Sequence, residues 1–212
     1  MSNLVAWGDE SVRTQGQDVP AYYMGVCICN LEEVDVHRML TTVTKRHVPK
    51  LHWRDMTPSE KRKSIPIIER LALSHIVVAA IPLDGSVSSE RARRKCLALL
   101  LPVLEYEYGV NRLVLEARES HQDDRDLDFA RGIRSRHIIE TLRVDFKPGN
   151  EDARLWIPDQ VLGALGGYTQ RYDGFQPDGR ILGFSDRGSS HKLTLPETNQ
   201  ISLVVGERYS MR

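Results

Sequence analysis

LVAWGDES (residues 4–11) is an apolar, strand-like run that drives straight into the adjacent carboxylates of Asp9 and Glu10. A turn or helix cap explains such acids, and so does a metal site built where a strand ends. The segments that follow decide between these readings. Residues 13–20, RTQGQDVP, have turn composition, and residues 21–29, AYYMGVCIC, form a second strand pattern. Together they predict an antiparallel hairpin.

Beyond the hairpin, helical and strand patterns alternate. Residues 31–47 place Leu31, Val34, Leu40 and Val43 at helical intervals. Thr57, Pro58 and Glu60 form a helix start, with threonine as N-cap, proline at the first helical position and glutamate closing a capping box. This helix is expected to run towards Ser74, bent or shortened by Pro66. IVVAAIPL (76–83) is apolar enough for a strand buried on both faces. A long helix over 88–109, a short strand RLVLE (112–116), a helix over 123–140, a strand LRVDF (142–146) and a last helix over 158–172 complete the series. The helix over 123–140 is acidic early and basic late, which suits its dipole. ISLVV (201–205) is a candidate edge strand. A hairpin followed by alternating helices and strands predicts an α/β fold, a mixed sheet flanked by helices, as in ribonuclease H-like domains. With no repeat or linker, residues 1–212 read as a single domain with an irregular C-terminal extension from about residue 173.

Lysine plus arginine equals aspartate plus glutamate at 29 each, so any surface for a polyanion must be local. The chain opens with no leader pattern and holds no apolar run of membrane-spanning length, which predicts a cytoplasmic protein away from membranes. Cys27 and Cys29 share a strand face but lack the second pair of a structural zinc site, so with Cys96 they read as reduced core residues. Phosphate-cradling, dinucleotide-binding, serine-elbow and His-Glu-x-x-His motifs are absent. Gly163, Gly166 and Gly167 fall inside a helical pattern and read as close-packing positions.

Phosphodiester cleavage with two divalent ions needs acids delivered from elements distant in sequence. Asp9 and Glu10 are expected to end the first strand, and Glu116 to end RLVLE on the same face as Val114 and Arg112. Asp159 follows Pro158 in a first helical turn, from which a carboxylate projects back over the sheet. Each acid alone also suits a cap or a strand end; together they can converge on one point of a ribonuclease H-like sheet.

Four segments carry a resemblance to the domain of unknown function 3800 family: WGDES (7–11), LHWRDM (51–56), LEARESHQDD (115–124) and IPDQVLGAL (157–165). The resemblance implies a ribonuclease H-like nuclease with Asp9, Glu116 and Asp159 as ligands of Mg2+ or Mn2+ and Glu10 as an auxiliary acid. It further marks His52 and Asp55 in the His-x-x-acid segment, and Arg118 beside Glu116. Two positions depart from the family pattern, Val12 where glycine commonly follows and Pro158 where a small residue is usual. His52 suits proton transfer or a buried hydrogen bond, and Glu119 suits a further ligand or a solvated position.

Basic residues cluster at 44–50, 60–63, 91–95 and 131–136. Those bordering the acids would supply phosphate contacts, and the others are solvated helix faces. Trp53 and Tyr168 can stack bases or pack. The expected function is a divalent-metal-dependent nuclease acting on DNA or RNA. The alternatives are a degenerate nucleic-acid- or partner-binding module of a defence or toxin system, and a small-molecule phosphohydrolase.

Overall fold

The computed structural model describes residues 4–13, 21–44, 46–80, 88–171, 191–194 and 200–206, the side chains of 166–171, 191–194 and 200–206 excepted. Strand β1 (Leu4–Arg13) pairs antiparallel with β2 (Ala21–Ile28), and β2 pairs antiparallel with β3 (Ser74–Ala80). On the other side of β1 lie β4 (Val110–Glu116) and β5 (Arg143–Lys147), each parallel to its neighbour. Strand β7 (Gln200–Gly206) runs parallel beside β3, and β6 (His191–Thr194) closes that edge antiparallel to β7. The full order is β5-β4-β1-β2-β3-β7-β6. Its first five strands, an antiparallel meander flanked by two parallel strands, make the sheet ribonuclease H-like.

Alternation along the strands separates two cores. Ala6, Met24, Ile76, Val78 and Leu113 face helices α3 (Ser89–Pro102) and α4 (Ser120–Ser135), meeting Ala92, Cys96, Leu97, Leu100, Ala130 and Ile133. Trp7, Cys27 and Val114 face the opposite way, onto helices α1 (Glu33–Thr41), α2 (Pro58–Arg70) and α5 (Trp156–Arg171). In β3, Ile76, Val77 and Val78 are all fully buried, as a strand covered on both faces requires. The three cysteines are free and buried.

Helix α2 begins as its sequence dictates. The Thr57 hydroxyl accepts from the Glu60 N–H, the Glu60 carboxylate accepts from the Thr57 N–H, and Pro58 occupies the first turn. Such a cap contributes about 1 kcal/mol.

Several boundaries differ from the sequence reading. Strand β1 does not end at Asp9 and Glu10 but continues to Arg13, because β2 carries it on through the pair Arg13↔Ala21. What ends there is the pairing of β1 with β4, whose last register pair is Gly8↔Leu115. The stretch 201–205 is not an edge, since β6 pairs with the outer side of β7. Helix α1 stops at Thr41, and α4 starts at Ser120, three residues early. Residues 14–20, 81–83 and most of the C-terminal extension lie outside the described residues, as does the Tyr168 side chain.

Candidate active site

Where β1 and β4 part, one cleft opens beyond their last shared pair. Asp9 and Glu116 sit on the same sheet face there, the face that carries Trp7 and Val114. Asp159 stands in the first turn of α5, which packs across β1 and β2. Burial pushes the Asp9 carboxyl up to about 7, with Glu116 and Asp159 adding to the rise and Lys50 and His52 opposing it. Those five side chains form one electrostatic cluster drawn from β1, the 44–52 loop, β4 and α5.

Each partner of Asp9 is itself held. Lys50 Nζ lies 2.6 and 2.5 Å from the two Glu116 oxygens. Asp159 Oδ2 accepts from the Trp53 N–H at 2.7 Å and from Gln160 Nε2 at 3.3 Å. Gln160 Nε2 also donates to the Leu51 carbonyl, tying the 51–53 segment to α5. Asp159 Oδ1 is 3.1 Å from His52 Nδ1, and this neighbouring carboxylate holds the imidazole pKa above the usual value against the effect of burial. Two glycines make room for this arrangement. A Cβ at Gly149 would stand 2.5 Å from Glu116 Oε1, and one at Gly163 would stand 2.1 Å from the Trp53 ring. Gly163 is thus the close-packing position its helical setting predicts.

Glu10, next in sequence to Asp9, is turned to the opposite face by strand alternation. It is gripped by the Arg93 guanidinium and the Tyr22 hydroxyl. Arg93 Nε also binds Asp126 at 2.6 Å, and Arg118 bridges Asp126 at 3.0 Å and Glu90 at 2.6 Å. The cleft of about 140 Å³ between the faces is lined by Asp9, Glu10, Glu116, Arg93 and Arg118. The structure therefore gathers Asp9, Glu116, Asp159 and His52, puts Arg118 at the cleft's other wall, and leaves Asp55 exposed beside Arg54. Glu119 is exposed, facing His121.

Lys50 and Arg93 belong to the basic clusters at 44–50 and 91–95, but sequence reading did not single them out as site residues. Lys50 lies in a loop with no periodicity to aim it. Arg93 carried a signal: with Leu97 and Leu100 it falls at i, i+4 and i+7, on the buried stripe of α3. The 91–95 cluster is therefore not wholly a solvated face, since Arg93 is 2 % exposed.

The donor set, three carboxylates with oxygen atoms only, suits a hard divalent cation such as Mg2+ or Mn2+. Asp9's pKa is raised first by burial and then by the neighbouring carboxylates of Glu116 and Asp159. Among the described residues, however, no three His, Cys, Asp or Glu side chains are gathered closely enough to hold one ion as they stand. Glu116 is drawn onto Lys50, and Asp159 onto Trp53 and His52.

No protein-family model matches the chain, and no curated protein matches it. Solved structures do. One, from the complex of PCNA and RNase HII of Archaeoglobus fulgidus, is 10% identical over 81% of this chain and 80% of its own, with a TM-score of 0.44. Another, ribonuclease H2 of Pyrococcus horikoshii OT3, is 15% identical over 82% of both chains, with a TM-score of 0.49. At such values the assignment of fold rests on the strand order itself. Among the described residues no helix is long and apolar enough to cross a membrane.

Proposed function

We propose that this chain is a divalent-metal-dependent nuclease of the kind its resemblance to the domain of unknown function 3800 family implies. The observation that carries the reading is the convergence of Asp9, Glu116 and Asp159, from two strands and a helix start, near enough for the other two to raise Asp9's pKa. Asp9, Glu116 and Asp159 are the residues that would hold Mg2+ or Mn2+. When bound, the ion would supply Lewis acidity towards a phosphate and a water of lowered pKa.

The chain's own groups divide the remaining work. His52, held by Asp159 and with its pKa raised, keeps a proton on the imidazole for a leaving oxygen. Arg118, on the far wall, is the guanidinium placed to meet a phosphate oxygen, while Arg93 stays buried in its pairing with Asp126 and Glu10. A cleft of about 140 Å³ is well below the ~300–1,000 Å³ of enclosed small-ligand pockets, which favours a backbone lying across it over a swallowed metabolite.

One observation favours a second reading, a nucleic-acid- or partner-binding module without turnover: Lys50 already neutralises Glu116. The separating experiment uses labelled single- and double-stranded DNA and RNA with Mn2+, Mg2+ or EDTA, on the native chain and Asp9→Asn. Cleavage that needs the metal and vanishes in Asp9→Asn supports the nuclease. Binding without cleavage under every condition supports the module.

A further inference from the structure

A second concavity lies apart from the acidic cleft and shares none of its lining. It is an open groove of about 670 Å³ between α4 and the β4–β5 edge of the sheet, and Arg112, Arg131, Arg134 and Arg143 line it. Arg112 and Arg143 stand directly opposite in the β4–β5 register. Arg131 and Arg134 are three residues apart on α4 and so share a helix face. Like charges placed opposite across strands, or a turn apart on a helix, disfavour the fold.

Two of the four are neutralised and two are not. Arg112 pairs with Asp145 at 2.6 Å, and Arg131 with Asp128 at 2.7 Å. Among the described residues, Arg134 and Arg143 make no ion pair. Their guanidiniums donate to backbone carbonyls, Arg134 to Leu142 at 3.4 Å and Arg143 to Thr141 at 2.9 Å. The pKa of Arg134 is lowered, first by burial and then by Arg143 and Arg131, with Glu105 opposing. Cations thus crowd here on a chain whose charges balance overall at 29 each.

We propose that this groove is an exosite for the phosphate backbone of a nucleic acid, with Arg134 and Arg143 as its principal contacts. Guanidiniums spread over two strands and a helix, in a groove that stays open along a sheet edge, suit an extended chain of phosphates rather than one enclosed anion. The Leu127, Ala130 and Val144 side chains give the groove an apolar floor between the charges. The exosite goes beyond the nuclease reading and stands without it, because it needs neither metal nor Asp9.

The test measures binding of labelled single- and double-stranded DNA and RNA oligonucleotides in EDTA, over a range of salt concentrations, by fluorescence anisotropy. The proteins are the native chain, Arg134→Gln/Arg143→Gln, Arg134→Lys/Arg143→Lys and Asp9→Asn, each checked for folding by circular dichroism. The glutamine pair is expected to weaken binding roughly tenfold or more and to flatten the logarithmic salt dependence by about 0.7–0.9 per lost contact. The lysine pair recovers most of the binding, and Asp9→Asn, assayed separately for cleavage with Mn2+, tells a failure of the nuclease reading from a failure of the exosite. A folded glutamine pair with native affinity and slope overturns the exosite. So does a native chain that binds no oligonucleotide, or one whose groove is blocked by poly-glutamate while oligonucleotide binding persists, which would assign it to an acidic partner.

Discussion

Both faces of the central sheet hold charge below the surface, and they treat it oppositely. On the α3–α4 face, Arg93 and Asp126 are 2 % and 1 % exposed, and Arg118, Glu90, Glu10 and Tyr22 complete the pairing around them. On the α5 face, among the described residues, Asp9, Glu116 and Asp159 meet Lys50 and the His52 imidazole, and Asp9, first through burial and then through its carboxylate neighbours, holds its proton up to about pH 7. The first arrangement sets cations against carboxylates and ties α3 to α4 through Arg93 and Asp126, although Arg93 Nη2, Asp126 Oδ1, Arg118 Nε and Glu90 Oε2 have no hydrogen-bond partner among the described residues. The second is left short of positive charge, as structures are at sites that bind or react.

The largest effect that can break this contrast is on the matched face. Arg93→Met takes the inner cation from both Asp126 and Glu10, leaving Asp126 to Arg118 alone, and is expected to cost about 3–5 kcal/mol in urea unfolding. On the other face the sign reverses. An unfolded aspartate ionises near 3.8 and folded Asp9 near 7, so between those values the native state keeps a proton the unfolded state has lost. Asp9's contribution therefore falls as pH rises through that window. Asp9→Asn removes the fall and is expected to raise stability at pH 8 by about 2–4 kcal/mol while abolishing cleavage. A loss of stability in Asp9→Asn would erase the difference between the faces.

A smaller change sharpens it. Gly163→Ala puts a methyl group into the Trp53 ring and displaces the N–H that holds Asp159, at about 1–3 kcal/mol. Its cleavage rate should drop more than its stability implies, which activity measured well below the melting temperature would reveal. The smallest expected effect is that of Lys50→Gln. Without the cation that opposes the rise, Asp9 should titrate higher still, seen by carboxyl-detected NMR.

Much of this was legible in the sequence for physical reasons. Strong local signals, such as the Thr57–Glu60 capping box and the apolar run of β3, carry their structure with them. Alternation put Glu116 with Val114, and a helix start put Asp159 over the sheet. What stayed hidden depends on long-range geometry. Asp9 was expected at the end of its strand, yet it sits where a neighbouring strand stops pairing, a fact set by β4 more than one hundred residues away. Lys50 reaches Glu116 from an aperiodic loop, which no spacing announces. Arg93 and Asp126 were readable in principle, since each lies on the apolar stripe of its helix, Asp126 at i with Ala130 and Ile133 at i+4 and i+7. Opposite charges on two buried stripes predict that those stripes meet.

The under-neutralised face is proposed as a cation site. Titration of Mn2+ into the native chain, Asp9→Asn/Glu116→Gln and Glu10→Gln, followed by calorimetry and by the electron paramagnetic resonance of free Mn2+, tests it directly. The native chain and Glu10→Gln are expected to bind Mn2+, and the Asp9→Asn/Glu116→Gln pair is not. Equal binding by all three, or none by the folded native chain at millimolar Mn2+, would contradict it.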